Sequence, residues 1–184
     1  DSVAIAACGS LPNCSPSLPM WTFNTSVNGP GGNLKGFELS YQQPFSFLPG
    51  FLSNFGTILN YTDVDSQVAF VGGRADLIGL SNHAYNATLY YETERYGARV
   101  SAAYRDEFLT NIPGRNDNEL EGTADVLTID ASARFSVNER IDVTLEALNL
   151  TDEFEDQWVD ETADRLSYYH HTGRSYILGA LIKF

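Results

Sequence analysis

Between residues 151 and 171, acidic and aromatic side chains gather densely enough to raise the question of chemistry. Residues 151–165 carry seven carboxylates: Asp152, Glu153, Glu155, Asp156, Asp160, Glu161 and Asp164. Converging carboxylates can cage calcium, and a spaced pair can hydrolyse a glycosidic bond. The stretch has no EF-hand spacing and no rigid scaffold, so a solvated acidic loop is the expectation. Phe154, Trp158, Tyr168 and Tyr169 stand beside His170 and His171. Flat apolar faces with a few polar neighbours make small-molecule sites, and these six are the candidate ligand contacts, with Trp21 expected on the same rim. The competing reading is an interfacial aromatic belt with loop packing. His170 and His171 are adjacent and so point to opposite faces of a strand, which rules out a metal pair of the i, i+4 kind. His83 stands alone. No nucleophile–base pair or ligand set emerges, so no catalytic residue, no metal and no cofactor are expected, and the chain is not read as an enzyme.

Two cysteines are present, Cys8 and Cys14, flanked by Gly9, Pro12 and Pro16. A local loop disulfide in an oxidising compartment is the main reading; two free thiols are the alternative. The net charge of −13, with only 11 Lys and Arg, excludes a nucleic-acid partner, since phosphate binding needs clustered cations. The mean hydropathy is −0.21, and no apolar run approaches the roughly 18 residues of a membrane helix. Barrel strands carry a weaker signal of about ten alternating residues, so a membrane stays open. N-x-S/T sites at Asn13, Asn24, Asn60, Asn86 and Asn149 would matter only in a eukaryotic secretory path.

The elements that must position these residues announce themselves by period-two alternation. Phe37, Leu39 and Tyr41 interleave with Glu38, Ser40 and Gln42, and a second run passes through Phe55, Thr57, Leu59 and Tyr61. Ala87, Leu89 and Tyr91 follow, then Val100, Ala102 and Tyr104. The clearest strand sets Leu127, Ile129, Ala131, Ala133, Phe135 and Val137 against Thr128, Asp130, Ser132, Arg134 and Ser136. Ile141, Val143, Leu145 and Ala147 come next, and after the loop that follows, a last strand over 165–184 closes the chain on GRSYILGALIKF. Short connections at 47–50, 94–97 and 138–140 alternate with long ones near 63–77, 110–124 and 151–165. An antiparallel meander does this when one end has tight turns and the other extended loops. Glu38, Arg99, Arg105, Asp130, Arg134 and Glu146 fall opposite the apolar stripe, as the inner wall of a barrel would have them. Seven strands are counted from about residue 34, with WTFNTSVN (21–28) as a short candidate eighth.

Seven segments in this order carry a family resemblance: LKGFELSYQQPFSFLPG, LNYTDVDS, LSNHAYNATLYYE, ARVSAAYRDEFL, IDASARFSV, LEALNLTDE and GRSYILGALIKF. Together they resemble the C-terminal barrel region of TonB-dependent transporters of the Gram-negative outer membrane, with a flavour of the carbohydrate-uptake group. The resemblance implies an all-β fold, an antiparallel meander forming the last seven or so strands of a transmembrane barrel of about 22, with long extracellular loops and short periplasmic turns. Residues 1–33 would be an extracellular loop bearing the disulfide, and 34–184 the barrel strands. The implied partners are the plug domain and earlier strands, outer-membrane lipid and, through the plug, a TonB-type energy-coupling complex of the inner membrane. The implied activity is uptake of a scarce nutrient, with an oligosaccharide favoured over a siderophore, iron chelate or vitamin.

Rivals remain open: a complete eight-stranded outer-membrane barrel with an adhesin or structural role, and a soluble β-sandwich binding module. All turn on what the apolar face touches. Leu127, Ile129 and Phe135 packed inside a water-soluble core would overturn the barrel.

Overall fold

The computed structural model describes residues 31–70, 73–160 and 165–184. Cys8, Cys14, Trp21, the candidate strand at 21–28, and Glu161 and Asp164 lie outside them. Long antiparallel strands dominate: β1 (Gly32–Pro44), β2 (Phe55–Phe70), the short β3 (Gly73–Ala75), β4 (His83–Glu92) and β5 (Tyr96–Arg105). After β6 (Phe108–Asn111) and β7 (Glu121–Thr123) come β8 (Val126–Asn138) and β9 (Ile141–Leu148). The last are β10 (Glu155–Val159), β11 (Arg165–His170) and β12 (Ser175–Ile182).

The large sheet runs β1-β2-β4-β5-β8-β9-β12, with β3 beside β2, and every pairing is antiparallel to a sequence neighbour within the wall. This is the seven-strand meander that alternation predicts. Its register carries the alternation across strands. One face holds the row Leu39, Tyr61, Tyr85, Tyr104 and Leu127, and two steps along, Tyr41, Leu59, Ala87, Ala102 and Ile129. The opposite face holds Gly56, Tyr90, Arg99, Ser132 and Glu146 in one row, and Glu38, Thr62, Ala84 and Arg105 in another. All six predicted wall residues therefore share the face opposite the apolar one.

The apolar face stays open. Leu39 is 61% exposed, Val100 50% and Leu178 77%, and Phe135 is also exposed. Leu127 and Ile129 are half-buried, flanked by side chains of adjoining strands. Among the described residues the extensive contacts between strands are those of sheet neighbours. Aromatic rings border this face at both ends. Phe37 meets Tyr61 at 5.8 Å between centroids and Tyr85 stacks on Tyr104 at 4.7 Å. At the other end Phe55 meets Tyr91 at 4.9 Å and Tyr96 stacks on Phe135 at 5.3 Å. The strand length from Tyr96 to Tyr104 is ~27 Å, or about 20 Å of height at a barrel-like tilt, close to the ~25 Å apolar band of such walls.

Tight turns sit at the Tyr96–Phe135 end. Thr93 closes one, its N–H donating to Tyr96 O at 2.7 Å. Asn138 closes another, its Oδ1 accepting from the N–H groups of Arg140 (2.9 Å) and Ile141 (3.0 Å). Aromatic and glycine interlock nearby: Gly56 lies opposite Tyr90, whose ring fills the space a Cβ would need.

Three expectations about the long connections are corrected. Residues 63–70 are not loop: β2 continues through them, bonded to β1 and β3. The stretches 110–124 and 151–165 are not loop throughout. They contribute β7, β10 and β11, which join β6 in a second sheet of four strands, order β11-β10-β7-β6. The final strand does not run unbroken over 165–184; β11 belongs to the second sheet and β12 to the wall. The cause is common to all three. Where a strand leaves the apolar band, both faces can be polar and the alternation that marks it fades.

Candidate functional site

The second sheet stands at the long-loop end and turns those connections into a built platform. Its core is small and specific. Trp158 is 6% exposed and lies opposite Gly122, with the indole occupying the place a Cβ on Gly122 would take. Glu121 is fully buried and neutralised by Arg115, whose Nε sits 2.8 Å from its Oε1 while the Arg115 backbone N–H donates to Oε2 at 3.1 Å. Arg115 also donates to Gln157 Oε1 at 3.3 Å, joining its own connection to β10. Burying one partner of an ion pair this deeply makes its loss expensive.

Arg105 ties the platform to the wall. Its guanidinium donates to Ser81 Oγ at 2.7 Å and Gly79 O at 2.8 Å and stacks over Phe108 at 3.8 Å. The Gly79 N–H in turn donates to Leu109 O at 2.7 Å. Arg105 thus lies on the predicted face but serves as a clamp for the loop 76–82.

Between wall and platform lies a cavity of ≈ 330 Å³ whose lining includes Gln67, Arg74, Asp76, Asn82, Phe108 and Trp158. Trp158 Nε1 and Asn82 Oδ1 are buried and have no hydrogen-bond partner. The Asn82 amide donates instead to Asp76 Oδ2 at 3.3 Å.

The remaining rim candidates separate. Trp158 is not an open rim aromatic, because pairing with Gly122 draws it inside the platform. Tyr168, Tyr169 and His170 lie along the exposed β11, an edge of the second sheet. Phe154 and His171 come together, their rings stacked at 3.9 Å, and His171 Nε2 lies 3.1 Å from Asp152 Oδ1. Arg174 approaches the other Asp152 oxygen at 3.8 Å. This cluster joins the start of one long loop to the end of the same loop.

On the polar face Arg99, Arg134 and Glu146 line one concavity of ≈ 190 Å³ with Tyr90 and Thr144. Arg134 donates to Ser136 Oγ at 2.8 Å. Asp130 accepts from the Asn149 N–H at 2.8 Å.

Asn149 is a residue whose role the sequence only hints at. Its backbone is left-handed at φ 54°. Its Nδ2 donates to Glu153 O (3.1 Å) and Gly173 O (3.4 Å), and its Oδ1 accepts from the Glu153 N–H (2.9 Å) and Thr151 Oγ1 (3.3 Å). One amide pins both ends of the 149–174 loop. The signal was the NLTD segment, in which Asn tolerates the left-handed turn and bonds its own backbone. Glu121 and Asn82 gave no signal at all, since their settings depend on distant segments.

Comparison with known proteins agrees with this architecture. The siderophore receptor PiuA of Acinetobacter baumannii superposes with a TM-score of 0.58 at 19% identity, covering 83% of this chain and 22% of that one. The chain thus spans about a fifth of that receptor's length, and at this identity the likeness speaks for the fold alone. A search of curated proteins found no match. Residues 4–150, most of the sequence, match the family described as TonB dependent receptor-like, beta-barrel. By that match the chain belongs to the TonB-dependent receptor β-barrel family.

Proposed function

We propose that this chain supplies seven strands of wall and a loop platform to an outer-membrane transporter that takes up a scarce nutrient, and that the nutrient is an oligosaccharide. The family is one of outer-membrane receptors and transporters, not enzymes. The observation that carries the membrane reading is the exposed apolar face bounded by two aromatic belts, which in water would be an aggregation surface and in a bilayer is a lipid contact. β1 and β12 are the edges of the wall among the described residues. Open edges in hydrocarbon are untenable, so further strands close the barrel, and the face carrying Arg99, Arg134 and Glu146 lines the lumen opposite a plug. An inner-membrane energy-coupling complex then acts on the plug.

The oligosaccharide reading leans on the aromatics of the loop platform and on the scarcity of basic residues, 11 against 24 acids, which suits a neutral ligand better than an anionic iron chelate. An iron chelate is the second reading, prompted by the structural neighbour, a siderophore receptor. Cell fractionation and uptake decide. The chain is expected in the outer membrane, with heat-modifiable gel mobility, and labelled oligosaccharide uptake is expected to stop when the inner-membrane energy supply is collapsed. Uptake of a ferric chelate in its place would replace the substrate. A chain recovered in the soluble fraction would end the transporter reading.

A further inference from the structure

Among the described residues three short connections close the wall at the Tyr96–Phe135 end, and their chemistry differs. Those after β4 and β8 carry Glu94–Arg95 and Glu139–Arg140, all exposed, as turns standing in water do. The connection between β1 and β2 is of another kind. No Asp, Glu, Lys, Arg or His occurs between Glu38 and Asp63, and the turn itself reads FSFLPGFLSN (45–54). Phe47 is 70% exposed and Phe51 68%, with Leu52 exposed beside them. Polar residues are the usual choice at the tip of a turn in water, and clustered exposed rings mark a contact surface.

The turn's backbone suits it to a medium poorer in hydrogen bonds than water. The chain reverses through Gly50, left-handed at φ 64°, into a short 3-10 helix, Gly50–Asn54. Pro44 and Pro49 have no N–H to satisfy. The N–H groups of Phe45, Leu48 and Phe55 donate to Phe55 O (2.7 Å), Phe45 O (2.8 Å) and Leu52 O, and Ser53 Oγ donates to Gly50 O at 2.7 Å. Donors bonded within the turn lower the cost of leaving bulk water.

The aromatic side of the turn continues the outward face of the wall. Phe55 lies opposite Tyr91 on the apolar face, their rings 4.9 Å apart. Phe51 meets Phe55 edge-on at 6.5 Å, and Phe47 meets Phe45 at 6.1 Å. The headgroup region on each side of a hydrocarbon core is roughly 5–8 Å deep, so rings one contact beyond the belt lie within it. A plug inside the barrel would meet the other face, that of Gly56 and Tyr90.

We propose that the β1–β2 turn is a lipid anchor. Phe47, Phe51 and Leu52 enter the phospholipid interface at the short-turn end, while the Glu94–Arg95 and Glu139–Arg140 turns stand in water. This rests on the membrane reading of the wall.

The whole receptor containing this chain is produced with p-benzoylphenylalanine replacing Phe47, Phe51, Glu94, Glu139 or Val100, one position at a time, and irradiated in isolated outer membranes. Heat-modifiable mobility selects folded protein, and peptide mass spectrometry identifies what has been attached. Phospholipid adducts at 47 and 51, at a yield near that of the mid-band reference Val100 and at least about fivefold above Glu94 and Glu139, uphold the anchor. Should one phenylalanine variant fail to fold the other decides, with Leu52 as the third position. Adducts with protein at 47 and 51 would give the turn a plug or periplasmic partner and overturn the inference. Unmodified peptides at 47 and 51 beside a lipid-labelled Val100 also overturn it, and leave the transporter reading standing. Equal lipid labelling at every turn does the same, since the whole rim would then be immersed. If even Val100 takes no lipid, the lipid-facing wall falls and the anchor with it.

Discussion

Asn149 shows what one side chain can hold at the loop end. Removing its amide deletes four hydrogen bonds, each worth about 1 kcal/mol net, and a side chain without the tolerance of glycine, Asn or Asp is strained at φ 54°. Asn149→Ala is expected to cost about 4 kcal/mol or more and to free the 149–174 loop, read as faster proteolytic nicking within it. Asn149→Gly relieves the backbone but not the lost amide, and should fall between. Equal nicking rates in all three proteins would show that the loop is held elsewhere. Gly122 is the matching case in the platform. Gly122→Val places a branched side chain where the Trp158 indole lies, and overpacking of this kind costs about 1–3 kcal/mol. Tryptophan burial, measured by acrylamide quenching with Trp21 replaced by Phe, should drop.

At the scale of elements, the wall strands were legible because each must present oil on one side and polar groups on the other over its whole length. That demand imprints a period of two that no loop imitates, as in Leu127 to Phe135 against Thr128 to Arg134. The platform strands carry no such imprint. β6 is FLTN, β7 is EGT and β10 is EDQWV, too short for a period and sheltered by pairing rather than by burial in lipid. Trp158 illustrates the limit: its chemistry marks it as a ligand contact, but only the register reveals Gly122 beneath it. The wall's two faces make a sharp test. Val100 sits in mid-band on the apolar face, with Leu89 and Ala131 beside it. Val100→Arg is expected to cost about 2–4 kcal/mol if this face meets hydrocarbon. Its neighbour on the opposite face, Ser101→Arg, should be far milder. The measurement is refolding yield and unfolding midpoint in lipid vesicles, and comparable effects from the two substitutions would contradict a lipid-facing wall.

For the whole molecule the decisive feature is the pair of edges. Along β1 (Gly32–Pro44), successive backbone groups point alternately toward β2 and away from it, and among the described residues β2 is the strand hydrogen-bonded to β1. The same holds for β12 against β9. Among the described residues, half of each edge strand's N–H groups therefore have no strand partner, and hydrocarbon supplies none; each orphan would cost several kcal/mol. Summed over two edges, that exceeds the 5–15 kcal/mol by which a domain is normally stable. The wall exists in a membrane only as an arc of something closed. In the receptor assembled in vesicles, both sets of amides in β1 and β12 are expected to resist hydrogen exchange as strongly as those of β5, which is paired on both sides. Rapid exchange of the alternate amides alone would mean that these edges face water, and the arc would have to be read as an open sheet outside the bilayer.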